Sequence, residues 1–398
     1  MQTASSATGP CLGYRVLDFT TMVSGPVCTQ YLADLGADVV KVEAPGGDPS
    51  RITGSLQRKG VDGFFVQLNR NKRSIVIDLR KPEGRELARS LARAADVVVE
   101  NFRPGVAERL GIGYEELRAL NPRLIYVAIS GFGPDGPYAR HPAYDHILQG
   151  LTGMMPAQGG EAGPRMFQSV VVDKASGLAA GSATLAALLG RERSGGEGQR
   201  IDVPMLDAYA AYMLPESLAG RSFPERSPGE GKTNQIFRTW QTRDGHIVGI
   251  AVQDSQFEGL CRAIEREDLL EDPRFSGIAA RFQNLGEMYA ILEQEFMKWS
   301  SAELVERARR FGAPFGPVHD FEAFLGDPQT LHNGTVFEVE DADGDRTRYL
   351  RHAARFSRDA PVFHRPPPAL GEHGDEVLLE AGLAEAEIAS LREAGVLR

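Results

Sequence analysis

With 398 residues, 42 % of them hydrophobic and 25 % charged, the chain has ordinary globular composition and room for two lobes or one large domain with an insertion. A formal net charge of −10 excludes a broad polyanion-binding face, so nucleic acid is not an expected partner and any phosphate site must be local. No run approaches the roughly 18 apolar residues of a membrane span, the opening MQTASSATGP reads as a short frayed tail rather than a secretory signal, and the scattered Cys11, Cys28 and Cys261 fit a reducing compartment. The expected setting is cytoplasmic.

Residues 14–19, 38–43, 74–79, 96–100 and 124–129 are β-branched runs that predict buried strands, and 26–35 and 82–95 carry apolar residues at helical spacing between them. Pro82 suits a first helical turn and Gly36 a helix end. This alternation implies βαβ units and a parallel sheet covered on both faces. Ligands of such sheets gather at the carboxyl ends of the strands, here the loops after Phe19, Glu43, Glu100 and Ile129. No GxGxxG follows the first strand, so an ordinary dinucleotide site is not indicated.

Further along, 177–190 predicts a buried helix, 191–198 an exposed glycine-rich turn, 200–204 a strand and 220–231 an inter-lobe linker. The strand-like 245–251 and helices near 256–264, 285–299 and 302–311 predict a smaller α+β lobe. Strand-like segments at 335–340 and 347–350, the proline-rich 361–368 and two terminal helices return the chain to the first lobe. The expected division is a large domain of 1–219 and 330–398, with 220–329 as linker and small domain.

Asp173 ends the apolar run 170–172 and stands before a segment rich in Gly and Ala. A carboxylate there faces helix-end N–H groups and has space beside it for a bulky ligand; it is either an ordinary helix N-cap or a covalent nucleophile. The loop 20–26 brings backbone near a ligand or simply connects strand to helix. Segments 69–74 and 101–109 set Lys, Arg and amides beside strand ends, where they suit phosphate oxygens or remain solvated charges, and Phe102 is placed to lie against a purine. The loop 131–138 is a lid or a turn, and Asp145 is a second functional carboxylate or a surface charge. GxSxG, Walker A, HExxH and kinase motifs are absent, and the eight histidines form no metal-ligand pattern, so no metal is expected.

Taken in order, Val16 to Thr20, Gly25-Pro26, Leu35 to Glu43, Asn71 to Ser74, Asp96 to Arg109, Gly131 to Tyr138, Ala143 to Asp145, Asp173, Thr239, Asp244-Gly245 and Leu370 to His373 resemble the class III CoA-transferases, a group that includes the α-methylacyl-CoA racemases. The resemblance covers nearly the whole chain. It implies an α/β fold with a Rossmann-like large domain, a smaller α+β domain and an interlocked homodimer. It implies no tightly bound cofactor, with coenzyme A and acyl-CoA as substrates and a carboxylic acid, in some members a dicarboxylate, as the partner.

By the same resemblance Asp173 is the nucleophile, passing through an aspartyl anhydride and an aspartyl-CoA thioester. CoA contacts are expected at Thr21, Met22, Val23, Ser24, Lys72, Asn101, Phe102, Val106, Arg109 and Tyr144, with Asp145 as a substrate or auxiliary residue. Two departures stand out: no tetraglycine segment occurs in the small lobe, and Pro142 takes a position that is basic in the formyl and oxalate subgroup. The rival functions are a racemase, which needs two acid/base groups and has His rather than Tyr before the aspartate, and a non-catalytic acyl-CoA-binding protein.

Overall fold

The structure is a computed structural model and describes residues 7–54, 56–225 and 236–398. The start of the expected frayed tail and residues 226–231 of the expected linker lie outside them. Contacts divide the chain into two compact units, Met1–Pro215 with Phe337–Arg398, and Glu216–Val336.

The first unit is built on six strands: β1 (Arg15–Asp18), β2 (Asp38–Glu43), β3 (Lys72–Val76), β4 (Val97–Glu100), β5 (Ile125–Ser130) and β6 (Arg200–Pro204). All pair in parallel, in the order β3-β2-β1-β4-β5-β6. Successive side chains feed opposite cores: Val16, Val39, Val97 and Val99 one, Leu17, Val40 and Val98 the other. That is why these strands read as unbroken apolar runs.

Helices cover both faces, among them α1 (Ser24–Asp34), α2 (Pro82–Ala92), the short α3 (Val106–Arg109), α4 (Asp145–Leu151), α5 (Val171–Ser194) and α6 (Met205–Met213). The terminal helices at Gly374–Glu380 and Glu385–Glu393 put Val377, Leu378 and Ile388 into the core beside α2. The strand order reverses between β1 and β4. Loops leaving these two neighbours diverge to opposite faces and leave a crevice, the usual ligand position in open α/β sheets.

Two expectations need correction. The third strand begins at Lys72 rather than Ser74, because two charged residues at its start are buried and paired, while Ile77 and Asp78 instead meet Leu397 and Val396 from the chain end. The helix expected at 177–190 runs over Val171–Ser194. Its last turn takes up residues 191–194, which are exposed as expected apart from Arg191, buried with its guanidinium 2.7 Å from Asp96. Asp173 therefore stands inside the first helical turn instead of ahead of it.

The second unit holds a three-stranded antiparallel sheet, β7 (Thr239–Gln241), β8 (His246–Gly249) and β9 (Phe315–Pro317), in the order β9-β8-β7. Trp240 and Ile247 from it pack on Phe257, Leu292, Phe296 and Leu304, which come from the helices Asp254–Ala263, Leu285–Phe296 and Ser301–Arg310.

Candidate active site

The loop after β1, residues 19–23, has its backbone fixed almost atom by atom. Asp18 accepts from the Thr20 N–H at 2.9 Å and from its hydroxyl, and the Lys41 ammonium donates to the Thr20 carbonyl at 2.7 Å. Asn101, at the start of the loop after β4, closes a two-way bond with Thr21: its Oδ1 accepts from the Thr21 N–H at 2.9 Å and its Nδ2 donates to the Thr21 carbonyl at 2.8 Å. The Met22 N–H donates to Asp48 at 3.1 Å, and Met22 has φ +66°. A non-glycine residue there costs on the order of 1–3 kcal/mol and persists only when its surroundings impose it. The two loops at the crevice are thus tied to each other directly.

Beneath them lies a buried network of charges. Asp18 and Lys72 are both 0 % exposed and 3.1 Å apart, and Lys41 pairs with Asp48 at 2.8 Å. Burial opposes ionisation of Asp18, but Lys72, Lys41 and the Thr20 and Thr29 hydroxyls together hold its carboxyl far below the usual range. Lys72 also donates to Thr29 Oγ1 at 2.8 Å, Asn69 Oδ1 at 2.9 Å and the Pro26 carbonyl at 3.2 Å. Burial pulls its ammonium down to about 8, against the upward pull of Asp18. Lys72, an expected CoA contact, has its protons already used and no solvent-facing surface. It is a strut of the first loop.

Asp173 is the third residue of α5, half-buried, and it meets the first turn of α1 at Ser24. Burial pushes its carboxyl up to about 6, the Asp145 charge adds to this, and the Ser24 hydroxyl and N–H work in the other direction. The close approach of α5 to α1 depends on Gly177, one turn further on, where a Cβ would stand 2.5 Å from the Ser24 carbonyl oxygen. Gly177→Ala should therefore push the helices apart, costing about 1–3 kcal/mol of stability and on the order of 10²-fold in turnover through misplacement of Asp173. Steady-state rates compared with a denaturation curve would check this, and wild-type turnover would refute it.

Asp145 is not a surface charge. It is buried at the start of α4, and its Oδ2 accepts from the backbone N–H groups of Val172 at 2.7 Å and Asp173 at 3.1 Å, while Oδ1 accepts from Gln149 Nε2 at 2.6 Å. It fixes the helical turn that carries Asp173. Tyr144 beside it is 65 % exposed, its ring stacked on His146 with centroids 6.0 Å apart.

Of the remaining expected contacts, Thr21 and Met22 are half-buried at the loop surface, whereas Val23 and Ser24 are buried. Phe102 and Val106 are half-buried, and Phe102 packs partly against the sheet core. Arg109 is exposed at the end of α3. Sequence reasoning missed Asp18, Lys41, Asp48 and Gly177; for Asp18 and Lys41 the available signal was a charge inside an apolar strand, as in DVVKVE. Among the described residues no group of His, Cys, Asp and Glu is arranged to hold a metal ion, and no helix is long and apolar enough to cross a membrane.

Residues 12–374 match the sequence description of CoA-transferase family III. The chain belongs to that family. It is a family III CoA-transferase similar to the succinate–glutarate CoA-transferase of Agrobacterium fabrum, with 37 % identity over 93 % of this chain and 95 % of that one. It is also similar to the formyl-CoA:oxalate CoA-transferase of Escherichia coli, at 32 % identity over 96 % and 98 %. A solved CAIB/BAIF family protein from Brucella suis superposes with a TM-score of 0.82 at 33 % identity, covering 94 % of this chain and all of that one.

Proposed function

We propose that this transferase moves CoA from an acyl-CoA to a free carboxylic acid through covalent intermediates on Asp173. The supporting observation is the position of that carboxyl, at the meeting of the starts of α5 and α1 beside the switch-point loops, on a helical turn held by Asp145. An Asp173 oxygen attacks the thioester carbonyl and CoA thiolate leaves, giving a mixed anhydride. The thiolate then attacks the aspartyl carbon and the donor acid leaves, giving the aspartyl thioester. The acceptor carboxylate attacks that carbon in turn, the thiolate leaves, and thiolate attack on the acceptor's acyl carbon releases the new acyl-CoA and free Asp173. Thioester activation is kept and no ATP is needed. Ser24 is placed to stabilise the oxyanion that forms on Asp173 during the middle steps.

Thr21, Met22, Val23, Ser24, Asn101, Phe102, Val106, Arg109 and Tyr144 remain the proposed CoA contacts, with the exposed Arg109 guanidinium suited to a phosphate. The relatives named for succinate, glutarate and oxalate favour a dicarboxylic acid as acceptor. An interlocked homodimer and a cytoplasmic setting follow from the family reading. A racemase would need a second base near Asp173, and the adjacent carboxylate, Asp145, is occupied by backbone N–H groups.

The test is to mix the protein with succinyl-CoA and glutarate and look for glutaryl-CoA by mass spectrometry. Its rate should fall about tenfold per pH unit below an acid-limb midpoint near 6 and level off above it, because ionised Asp173 is the attacking form. Absence of any new thioester with succinate, glutarate or oxalate as acceptor, together with α-hydrogen exchange on a 2-methylacyl-CoA, would favour the racemase.

A further inference from the structure

Tyr209 lies in α6, is 0 % exposed, and its hydroxyl has no hydrogen-bond partner among the described residues. Buried phenols normally donate, so an orphan of this kind calls for a function. α6 packs along α5 and against α4, whose first residue is Asp145. Burial raises the phenol's pKa and the Asp145 charge raises it further. Asp145 in turn has room for one more donor. Its Oδ2 is filled by the Val172 and Asp173 N–H groups and its Oδ1 by one donor, Gln149, whereas a carboxylate accepts about four hydrogen bonds. An unfilled donor and an unfilled acceptor thus belong to the same three-helix junction.

We infer that Tyr209 is a positioning residue of the acyl-transfer site: its hydroxyl supplies the remaining hydrogen bond to Asp145 through one buried water, and so steadies the turn that presents Asp173. The inference rests on Asp173 being the nucleophile. The charges at the junction are Asp145 from α4 and Asp173 from α5, and α1 brings the Ser24 donors. The Asp145 charge holds the Asp173 carboxyl up, so removing a donor that offsets that charge makes Asp173 take up its proton at higher pH.

Tyr209→Phe removes the hydroxyl and keeps the ring. The midpoint of the acid limb of kcat/KM should rise by roughly half to one pH unit, with turnover reduced several-fold at pH 6, near wild type at pH 8, and KM for acyl-CoA unchanged. In an Asp145→Asn background the same substitution should leave the midpoint where it is. A Tyr209→Phe profile that superimposes on wild type, accompanied by a higher melting temperature, would overturn the inference, because deleting a truly unpaired buried hydroxyl stabilises a protein. Equal shifts in both backgrounds would overturn it as well. Failure of the nucleophile assignment is distinguishable, since wild type itself would then show no limb near 6 and no acyl adduct on Asp173.

Discussion

Asp173→Asn should abolish CoA transfer, by ~10³-fold or more, while leaving acyl-CoA binding within a few-fold of wild type. The amide is nearly isosteric with the carboxylate but supplies no nucleophilic oxygen to open the thioester. The same substitution should stabilise the fold. A carboxyl raised from 3.8 to about 6 in the folded protein is ionised at neutral pH at a cost of up to about 3 kcal/mol, since each pKa unit corresponds to ~1.4 kcal/mol. The sign follows from linkage: a raised folded pKa means the native state holds the proton more tightly, so wild type loses this stability as pH rises through the interval. The gain in Asp173→Asn is therefore complete above about 6 and absent below the unfolded value. Urea titrations at pH 4 and pH 8 would measure it, and a variant that keeps wild-type transfer would remove Asp173 from the mechanism.

The second large effect is expected at Lys72. Lys72→Met should lower stability by about 3–5 kcal/mol, because Asp18 would remain ionised and buried without its 3.1 Å partner. Thr29 and Asn69 would each lose a bond as well. The double variant Asp18→Asn, Lys72→Met should recover part of the loss, since the two residues act as one unit. Should Lys72→Met prove as stable as wild type and only weaken CoA binding, the phosphate-contact role would have to be restored. Loss of the strut acts on the loop 19–23 and hence on Ser24, so reduced turnover is expected even under conditions where the variant stays folded.

Chain-local features set what the amino-acid order determined by itself. The valine-rich runs at 38–43 and 97–100 and the amphipathic 82–92 specify their own conformations through side-chain period and branching, so strand–helix alternation, the parallel sheet and its ligand-bearing loop ends were legible. The ordered set of motifs identified the family and, through it, singled out Asp173. What each polar residue does was decided only by the tertiary structure. Lys72 and Arg109 look alike as cations beside strand ends, yet one is sealed against Asp18, 54 positions away, and the other faces solvent. Asp145 and Asp173 are 28 positions apart, and only packing of α4 on α5 gives one the backbone N–H groups of the other's helix turn. The residue spacing carries no record of that distance, because charge–charge energy and desolvation depend on separation through space and on surrounding dielectric, and both are set only once the two cores have closed.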